Sequence, residues 1–187
     1  MPRFGTRRRK PETEAAEKKP LTQEERRRRT FQRAIKLLAA KSRSVSELRE
    51  LLLQGRETNK TIAEEVIERL QEYGYLDDER FAFGYASLKV RQRPVGRQRL
   101  KRELALKKVP QETVDEALDL VFGETSEAEL IDRAIEKRTR LRGRPTSRAE
   151  AKSLFDHLLR RGFDFELVSE KIRSLTTDDT DEVNSNG

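Results

Sequence analysis

The chain has 187 residues, of which 41 are Lys or Arg and 34 are Asp or Glu, giving a formal net charge of +7 at neutral pH. It has no cysteine and one histidine, which excludes disulfide frameworks, thiolate metal sites and His-rich zinc sites. No run of about 18 apolar residues could span a membrane, and the first residues lack the apolar stretch of a signal peptide. We therefore expect a soluble cytoplasmic protein whose excess positive charge favours nucleic acid or an acidic partner.

The two ends of the chain have the composition of disordered segments. Residues 1–33 carry 12 basic and 5 acidic side chains with few apolar ones, so we predict a disordered basic arm over residues 1–25. Residues 176–187 are polar with a net charge of −4, and we predict a disordered acidic tail there. The remaining body of about 150 residues is long enough for one domain or for several small units in a row.

The body has a helical pattern throughout. Apolar residues recur at every fourth position over 62, 66 and 70, and again over 114, 118 and 122. Ser44 and Glu47 have the spacing of a capping box, and Pro94, Pro110 and Pro145 stand where amphipathic stretches begin. Alternating β-branched runs and Asn-Gly or Asp-Gly turns between apolar stretches are absent. The sequence predicts an all-α fold.

A repeat with offsets of 52 and then 54 residues runs through the body. Four positions are apolar in all three copies: Leu48/Leu100/Leu154, Leu52/Leu104/Leu158, Ile62/Val114/Val168 and Val66/Leu118/Ile172. A further helical stretch precedes each copy, so each unit is predicted to hold three helices. We predict three tandem three-helix, helix-turn-helix-like repeats, over residues 26–75, 76–124 and 125–175, stacked into an elongated, curved array.

The densest basic stretch runs from Lys89 to Lys108, where nine cations stand against one acid, Glu103. On a helix that begins near Val95, the leucines face inward and the cations lie on and beside an outward stripe, which could neutralise several phosphates. The alternative is an ordinary solvated helix face, although such faces commonly mix charges of both signs. We predict a basic face that binds nucleic acid or an acidic protein surface, consisting of Arg91, Arg93, Arg97, Arg99, Lys101, Arg102, Lys107 and Lys108.

A second basic cluster precedes Gly143 and Pro145 and is predicted to end on a loop. It consists of Arg138, Arg140, Arg142 and Arg144, with Lys137 beside them. Arginines on a loop suit contacts to a nucleic-acid backbone or to an acidic protein surface, and a solubilising role is an equal alternative. The run Arg26–Arg29 has the same two interpretations.

Asp77 and Asp78 form the one carboxylate pair that suggests catalysis. Such a pair holds Mg²⁺ only with further ligands in fixed geometry, whereas an Asp ahead of a helix caps its N-terminus. We favour capping, with a metal-dependent nuclease as an alternative. His157 has no Ser–Asp arrangement around it, and no glycine-rich phosphate-binding string occurs. We predict no catalytic residue, no metal, no cofactor and no enzyme activity.

Several strings together resemble the signature of the RecX family of recombinase regulators. They are YGYLDDERFA over residues 73–82, Pro94-x-Gly96-x-x-Arg99-Leu100-x-x-Glu103-Leu104, Ser44-x-x-Glu47-Leu48 and Leu158-x-Arg160-Arg161-Gly162-Phe163. The resemblance covers about residues 30–175. Its motif residues, expected to be mainly structural, include Tyr75, Leu76, Asp77, Asp78, Arg80, Phe81, Gly96, Glu103 and Leu104. Leu100 stands where the family often has Ile, and Lys107-Lys108-Val109 replaces the family's usual Lys-Gly-Ile turn.

The resemblance implies tandem three-helix repeats and a regulatory role without catalysis. RecX proteins bind the RecA filament, lie along its groove, suppress its ATPase and strand-exchange activities, and bind DNA to some degree. It thus implies a mainly negative regulator of RecA in DNA repair, recombination and the SOS response. The expected partners are the RecA filament and single- or double-stranded DNA, with no membrane and a monomeric chain. The alternative is a sequence-specific helix-turn-helix transcription factor, which needs one base-reading helix.

Overall fold

The computed structural model of the protein describes residues 21–184, with side chains described up to residue 175. Nine α-helices and no strand are present over this range. They are α1 (Gln23–Ala40), α2 (Val45–Leu53), α3 (Lys60–Glu72), α4 (Asp78–Gln92), α5 (Arg97–Leu106), α6 (Gln111–Glu124), α7 (Glu127–Arg142), α8 (Arg148–Arg160) and α9 (Phe165–Asn184). The all-α prediction is confirmed. None of the described helices is both long enough and apolar enough to cross a membrane.

The helices pack in consecutive groups of three. Helices α1, α2 and α3 contact one another, α4 and α5 pack on α6, and α7, α8 and α9 contact one another. We call these groups unit 1, unit 2 and unit 3. The repeat positions fall at equivalent places, since Leu48, Leu100 and Leu154 are buried on the second helix of each unit. The prediction of a helical repeat array is confirmed.

Apolar burial joins unit 2 to unit 3 more closely than to unit 1. Unit 1 has a core of its own around Leu48 and Leu70, which also takes in Leu76 from the linker to α4. Units 2 and 3 share one core that includes Leu118 and Leu158. Each such fully buried leucine contributes about 1.5–3 kcal/mol relative to an exposed one. Units 2 and 3 therefore form one continuous packed body.

Helices extend into both segments that are predicted to be disordered. Helix α1 begins at Gln23, inside the predicted arm of residues 1–25, because Thr22 and Glu25 form a capping box that starts the helix there. The rest of the arm, residues 1–20, lies outside the described residues. Helix α9 continues to Asn184, into the segment predicted to be the acidic tail, and the disorder predicted there stays a prediction. No Gly or Pro interrupts that segment, and each added residue gains a backbone hydrogen bond.

The turn after α5 takes a conformation that suits glycine better than the residue present. Lys108 has φ +58°, and no other non-glycine residue of the described chain has a positive φ. The turn closes with hydrogen bonds from the Lys108 N–H to the Ala105 carbonyl and from the Val109 N–H to the Leu104 carbonyl. This left-handed ending is the usual helix stop in which glycine is favoured. The helix therefore ends in the left-handed turn without the family's glycine, and Lys108 takes the strained conformation there.

Candidate nucleic-acid interface

The basic face predicted on α5 meets acidic side chains of the neighbouring helix α6. Arg97 Nη2 lies 2.6 Å from Asp119 Oδ1, and Lys101 Nζ lies 2.7 Å from Asp115 Oδ1. Hydrogen bonds from Lys101 and from Gln111 lower the pKa of Asp115. Two cations of the predicted stripe are therefore paired within unit 2.

The lysines at the end of α5 contact unit 1. Lys107 Nζ lies 3.3 Å from Glu47 Oε1, and Lys108 pairs with Glu50, both acids being on α2. The Lys107 ammonium also lies 5.8 Å from the ring centre of Phe81 and 5.2 Å from that of Tyr85. Its side chain is only 16% exposed. These lysines help to join the two units.

Arg99 takes part in a cluster around the one acid of the basic stretch, Glu103. Its Nε donates to Glu103 Oε1 at 2.9 Å, the Tyr85 hydroxyl donates to Oε2 at 2.8 Å, and Lys89 lies 3.5 Å away. Burial alone raises the pKa of Glu103, but the bonds from Arg99 and Tyr85 outweigh it and the pKa is lowered. Burial and Glu103 together raise the pKa of Tyr85 to about 12.

Five of the eight residues of the predicted basic face thus pair with carboxylates, four of them with acids on α2 and α6 and Arg99 with Glu103 on its own helix. Arg91, Arg93 and Arg102 are exposed, and none of them forms an ion pair with another described residue. These three are the exposed cations of the face whose charge no described carboxylate pairs with. Binding by this face stays a prediction.

The second basic cluster lies mainly on a helix. Arg138, Arg140 and Arg142 belong to the last turns of α7, which ends at Gly143 with φ +82°, so the predicted loop begins only after them, at Arg144. Cations are stabilised there because the C-terminal end of a helix dipole is negative. Arg140 also pairs with Glu136 on its own helix, and Arg138 Nη2 donates to Ser153 Oγ on α8 at 2.9 Å.

The paired aspartates of the motif have two different structural contacts. Asp77 caps α4, its Oδ1 accepting from the Arg80 N–H at 3.0 Å, as predicted. The Asp78 carboxylate instead accepts from the Val45 N–H at 2.9 Å, at the start of α2 in unit 1. Burial raises the pKa of Asp78. No group of three or more potential metal ligands occurs among the described side chains.

The remaining motif residues are divided between the core and the surface. Leu76, Phe81 and Leu104 are buried. Tyr75 is 63% exposed, and Arg80 Nη1 lies 3.5 Å from the Gly74 carbonyl oxygen.

Gly96 lies where α5 meets the turn between α8 and α9. Its N–H donates to the Arg161 carbonyl and the Gln98 N–H to the Gly162 carbonyl, both at 3.0 Å. A Cβ on Gly96 would lie 2.2 Å from backbone atoms of Gly162 and Phe163, so only glycine fits. Glu127, the first residue of α7, accepts from the Arg97 N–H at 3.1 Å. These bonds satisfy donors at the start of α5 that otherwise lack a partner.

The same turn brings two further arginines against unit 2, which sequence reasoning left out of the site. A cleft of about 480 Å³ is lined by Arg93, Pro94, Val95, Arg99, His157, Arg160 and Arg161. Arg161 Nη1 donates to the Pro94 carbonyl at 2.7 Å and its Nε to His157 Nε2 at 3.0 Å. The string Leu158–Phe163 contained these arginines, but apolar periodicity gives no sign that they meet residues of unit 2.

Comparison with known proteins identifies the family. A family model described as RecX, second three-helix domain, matches residues 77–118. The regulatory protein RecX of Prosthecochloris aestuarii is 33% identical over 150 residues, covering 80% of this chain and 95% of the relative. The chain belongs to the RecX family. The regulatory protein RecX of Chlorobium limicola is 35% identical over 143 residues, 76% of this chain and 86% of the relative.

Solved RecX structures have the same fold. The crystal structure of RecX from Lactobacillus salivarius aligns with a TM-score of 0.72 at 17% identity, covering 81% of this chain and 97% of that one. A second crystal structure, of a regulatory protein RecX, aligns with a TM-score of 0.69 at 20% identity, covering 81% of this chain and 73% of that one. The matched RecX domain spans α4, α5 and most of α6, the unit that carries the predicted basic face. Membership of a family of regulatory proteins gives this chain a regulatory role.

Proposed function

We propose that this RecX-family chain is a mainly negative regulator of RecA. It binds the RecA–DNA filament as a monomer in the cytoplasm and lowers the ATPase, recombinase and strand-exchange activities of RecA, so modulating DNA repair, recombination and the SOS response. The observation that carries the proposal is the alignment with a relative named regulatory protein RecX over 95% of that relative's length. The chain acts by binding, without a reaction of its own.

The repeat array supports this role because its units are tied together by specific contacts. Unit 1 is fixed to unit 2 through Asp78 and Lys107, and unit 2 to unit 3 through Gly96 and Glu127. An array of this kind offers a long surface that can contact more than one protomer of a filament. A ligand of that kind shifts the filament towards whichever state it binds more tightly.

The solvent-facing cations of unit 2 are the part of the predicted basic face on which we base the test. Arg91 and Arg102 are exposed and form no ion pair with the other described residues. Charge reversal at these two positions therefore changes the surface without leaving a buried carboxylate unpaired.

A time course of RecA ATPase on single-stranded DNA tests the proposal. We expect the wild-type chain to lower the rate in a dose-dependent manner, and the R91E/R102E variant to need a higher concentration for the same effect. The matched control is K36E/R56E, which makes the same charge change at exposed positions of unit 1. An unchanged ATPase rate at excess wild-type chain would refute the proposal, and equal inhibition by all three would remove this face from it.

A further inference from the structure

Three clefts of units 2 and 3 lie side by side and share lining residues. The cleft beside Arg93 and Arg99 shares His157 and Arg161 with a second cleft of about 200 Å³. That cleft in turn shares Arg138 and Arg142 with a third of about 380 Å³. We call the combined depression, from the start of α5 to the end of α7, the α7–α8 groove.

The groove is strongly cationic. Eight cationic side chains line it: Arg93, Arg99, Lys137, Arg138, Arg142, Arg144, Arg160 and Arg161. The one carboxylate in the lining, Glu150, accepts from the Thr146 N–H at 2.7 Å and from the Thr146 hydroxyl at 3.0 Å. That carboxylate is therefore engaged in the turn before α8.

The centre of the groove holds a fixed and partly buried guanidinium. Arg161 donates to a carbonyl and to an imidazole nitrogen, both uncharged acceptors. Burial and the nearby Arg93 and Arg99 lower the pKa of Arg161. Burial lowers the pKa of His157 too, with Arg161 and three further arginines adding to the effect. Both directions indicate a positive potential at this point, where Arg99 is the one of these arginines that pairs with a carboxylate, that of Glu103.

We propose that the α7–α8 groove binds the phosphodiester backbone of a nucleic-acid strand. This inference rests on the DNA-binding part of the proposed function and assigns it to particular residues. Guanidinium groups suit phosphate because their planar fork donates two hydrogen bonds at once. No Phe, Tyr or Trp side chain lines the groove, and the imidazole of His157 is engaged by a hydrogen bond from Arg161. Recognition is therefore of the backbone, independent of base sequence.

The first test uses charge reversal with a matched control, in the absence of RecA. The groove variant K137E/R142E/R160E changes three exposed cations that form no ion pair with the other described residues. The control variant K36E/R56E/K60E makes the same charge change at exposed positions of unit 1. Fluorescence anisotropy measures the affinity of each for a labelled mixed-sequence DNA strand of about 30 nucleotides, over a range of salt concentrations.

We expect the groove variant to bind at least about tenfold more weakly, with the salt slope reduced by about 0.7 for each phosphate of the single strand that the variant no longer neutralises. The control variant should bind within about twofold of wild type. Equal weakening of both variants, or normal binding by the groove variant, would overturn the proposal, because the charge would then act diffusely or elsewhere.

The second test follows His157, the single histidine of the chain, in tag-free protein. We expect its imidazole NMR signals to shift on addition of the oligonucleotide and its pKa to rise, because bound phosphates offset the surrounding arginines. Unmoved signals would overturn the proposal, and so would tighter binding of polyglutamate of equal charge, which would indicate an acidic polypeptide instead. If the groove variant loses DNA binding while the wild-type chain has no effect on RecA ATPase, the proposed function is refuted and the groove proposal stands.

Discussion

The carboxylate of Glu127 accepts a hydrogen bond from the backbone N–H of Arg97 at 3.1 Å. Glu127 begins α7 and Arg97 begins α5, and one unit earlier the corresponding first residues, Asp78 of α4 and Val45 of α2, are joined in the same way at 2.9 Å. In each case the carboxylate lies at the N-terminal end of the second helix of the preceding unit, where the helix dipole is positive. The same kind of hydrogen bond therefore joins unit 1 to unit 2 and unit 2 to unit 3.

Close backbone contact at the second of these junctions predicts that Gly96→Ala is strongly destabilising. Its Cβ would lie 2.2 Å from the Gly162 carbonyl group, so α5 and the α8–α9 turn must separate. We expect urea denaturation to give a free energy of unfolding lower by about 2 kcal/mol or more. The control is Gly84→Ala, since nothing lies within 4 Å of a Cβ there. Within α4 it should stabilise by about 0.5–1 kcal/mol, and equal effects of both variants would refute the packing described.

The left-handed conformation of Lys108 predicts that Lys108→Gly stabilises relative to Lys108→Ala. Both variants lose the ion pair with Glu50, which is exposed and contributes little, but only glycine relieves the strain at φ +58°. We expect Gly to exceed Ala by about 1 kcal/mol in the free energy of unfolding. Equal stability of the two variants in parallel urea titrations would mean that the residue does not adopt this conformation in solution.

The junction carboxylate Glu127 predicts a pH-dependent stability. Burial raises its pKa above the ordinary value of 4.5, against the hydrogen bond from the Arg97 N–H. Between the two pKa values the folded chain holds a proton that the unfolded chain has released, so stability falls as pH rises through that window. Glu127→Gln removes this titration.

Urea unfolding of wild type and E127Q between neutral pH and about pH 5 measures the effect. As pH falls, the free energy of unfolding of the wild type should rise relative to that of E127Q. Glu103→Gln, followed further down to below pH 4.5, provides the opposite sign, because the pKa of Glu103 is lowered from 4.5 and its stabilisation is lost as pH falls below that value. Parallel curves for wild type and E127Q would show that Glu127 is solvated in the native protein.

The ion pair between Lys101 and Asp115 predicts that the two positions depend on each other. Lys101→Glu replaces the ammonium that lies 2.7 Å from Asp115 with a second carboxylate and should lower the free energy of unfolding by about 0.5–1 kcal/mol. Adding Asp115→Lys restores opposite charges and should recover most of that loss. If the change in the free energy of unfolding of the double variant equals the sum of the changes in the two single variants, then the pair is not formed in solution.

The repeat could be predicted from the sequence because burial leaves a local periodic signal. Leu52, Leu104 and Leu158 are each fully buried at the equivalent point of the second helix, as their spacing predicts. The capping residues Ser44 and Asp77 could be predicted for the same reason, since a cap lies within a few residues of the helix that it starts.

The charge balance of the surface could not be predicted, because the partners are distant in sequence. Lys107 meets Glu47, 60 residues earlier, and Arg161 meets Pro94, 67 residues earlier. Counting charges along residues 89–108 therefore overstated the free positive charge of α5 and missed the groove. At Lys108 the family pattern indicated a turn that usually holds glycine, but only the structure shows that the lysine adopts the positive φ of that turn.

Co-sedimentation with RecA–DNA filaments tests the central claim most directly. The filaments are assembled on single-stranded DNA with a non-hydrolysable ATP analogue, and DNA alone and RecA alone serve as controls at the same concentrations. We predict that the wild-type chain sediments with the filament to a saturating level, above the sum of the amounts that sediment with DNA alone and with RecA alone. Recovery no greater than that sum would contradict the account.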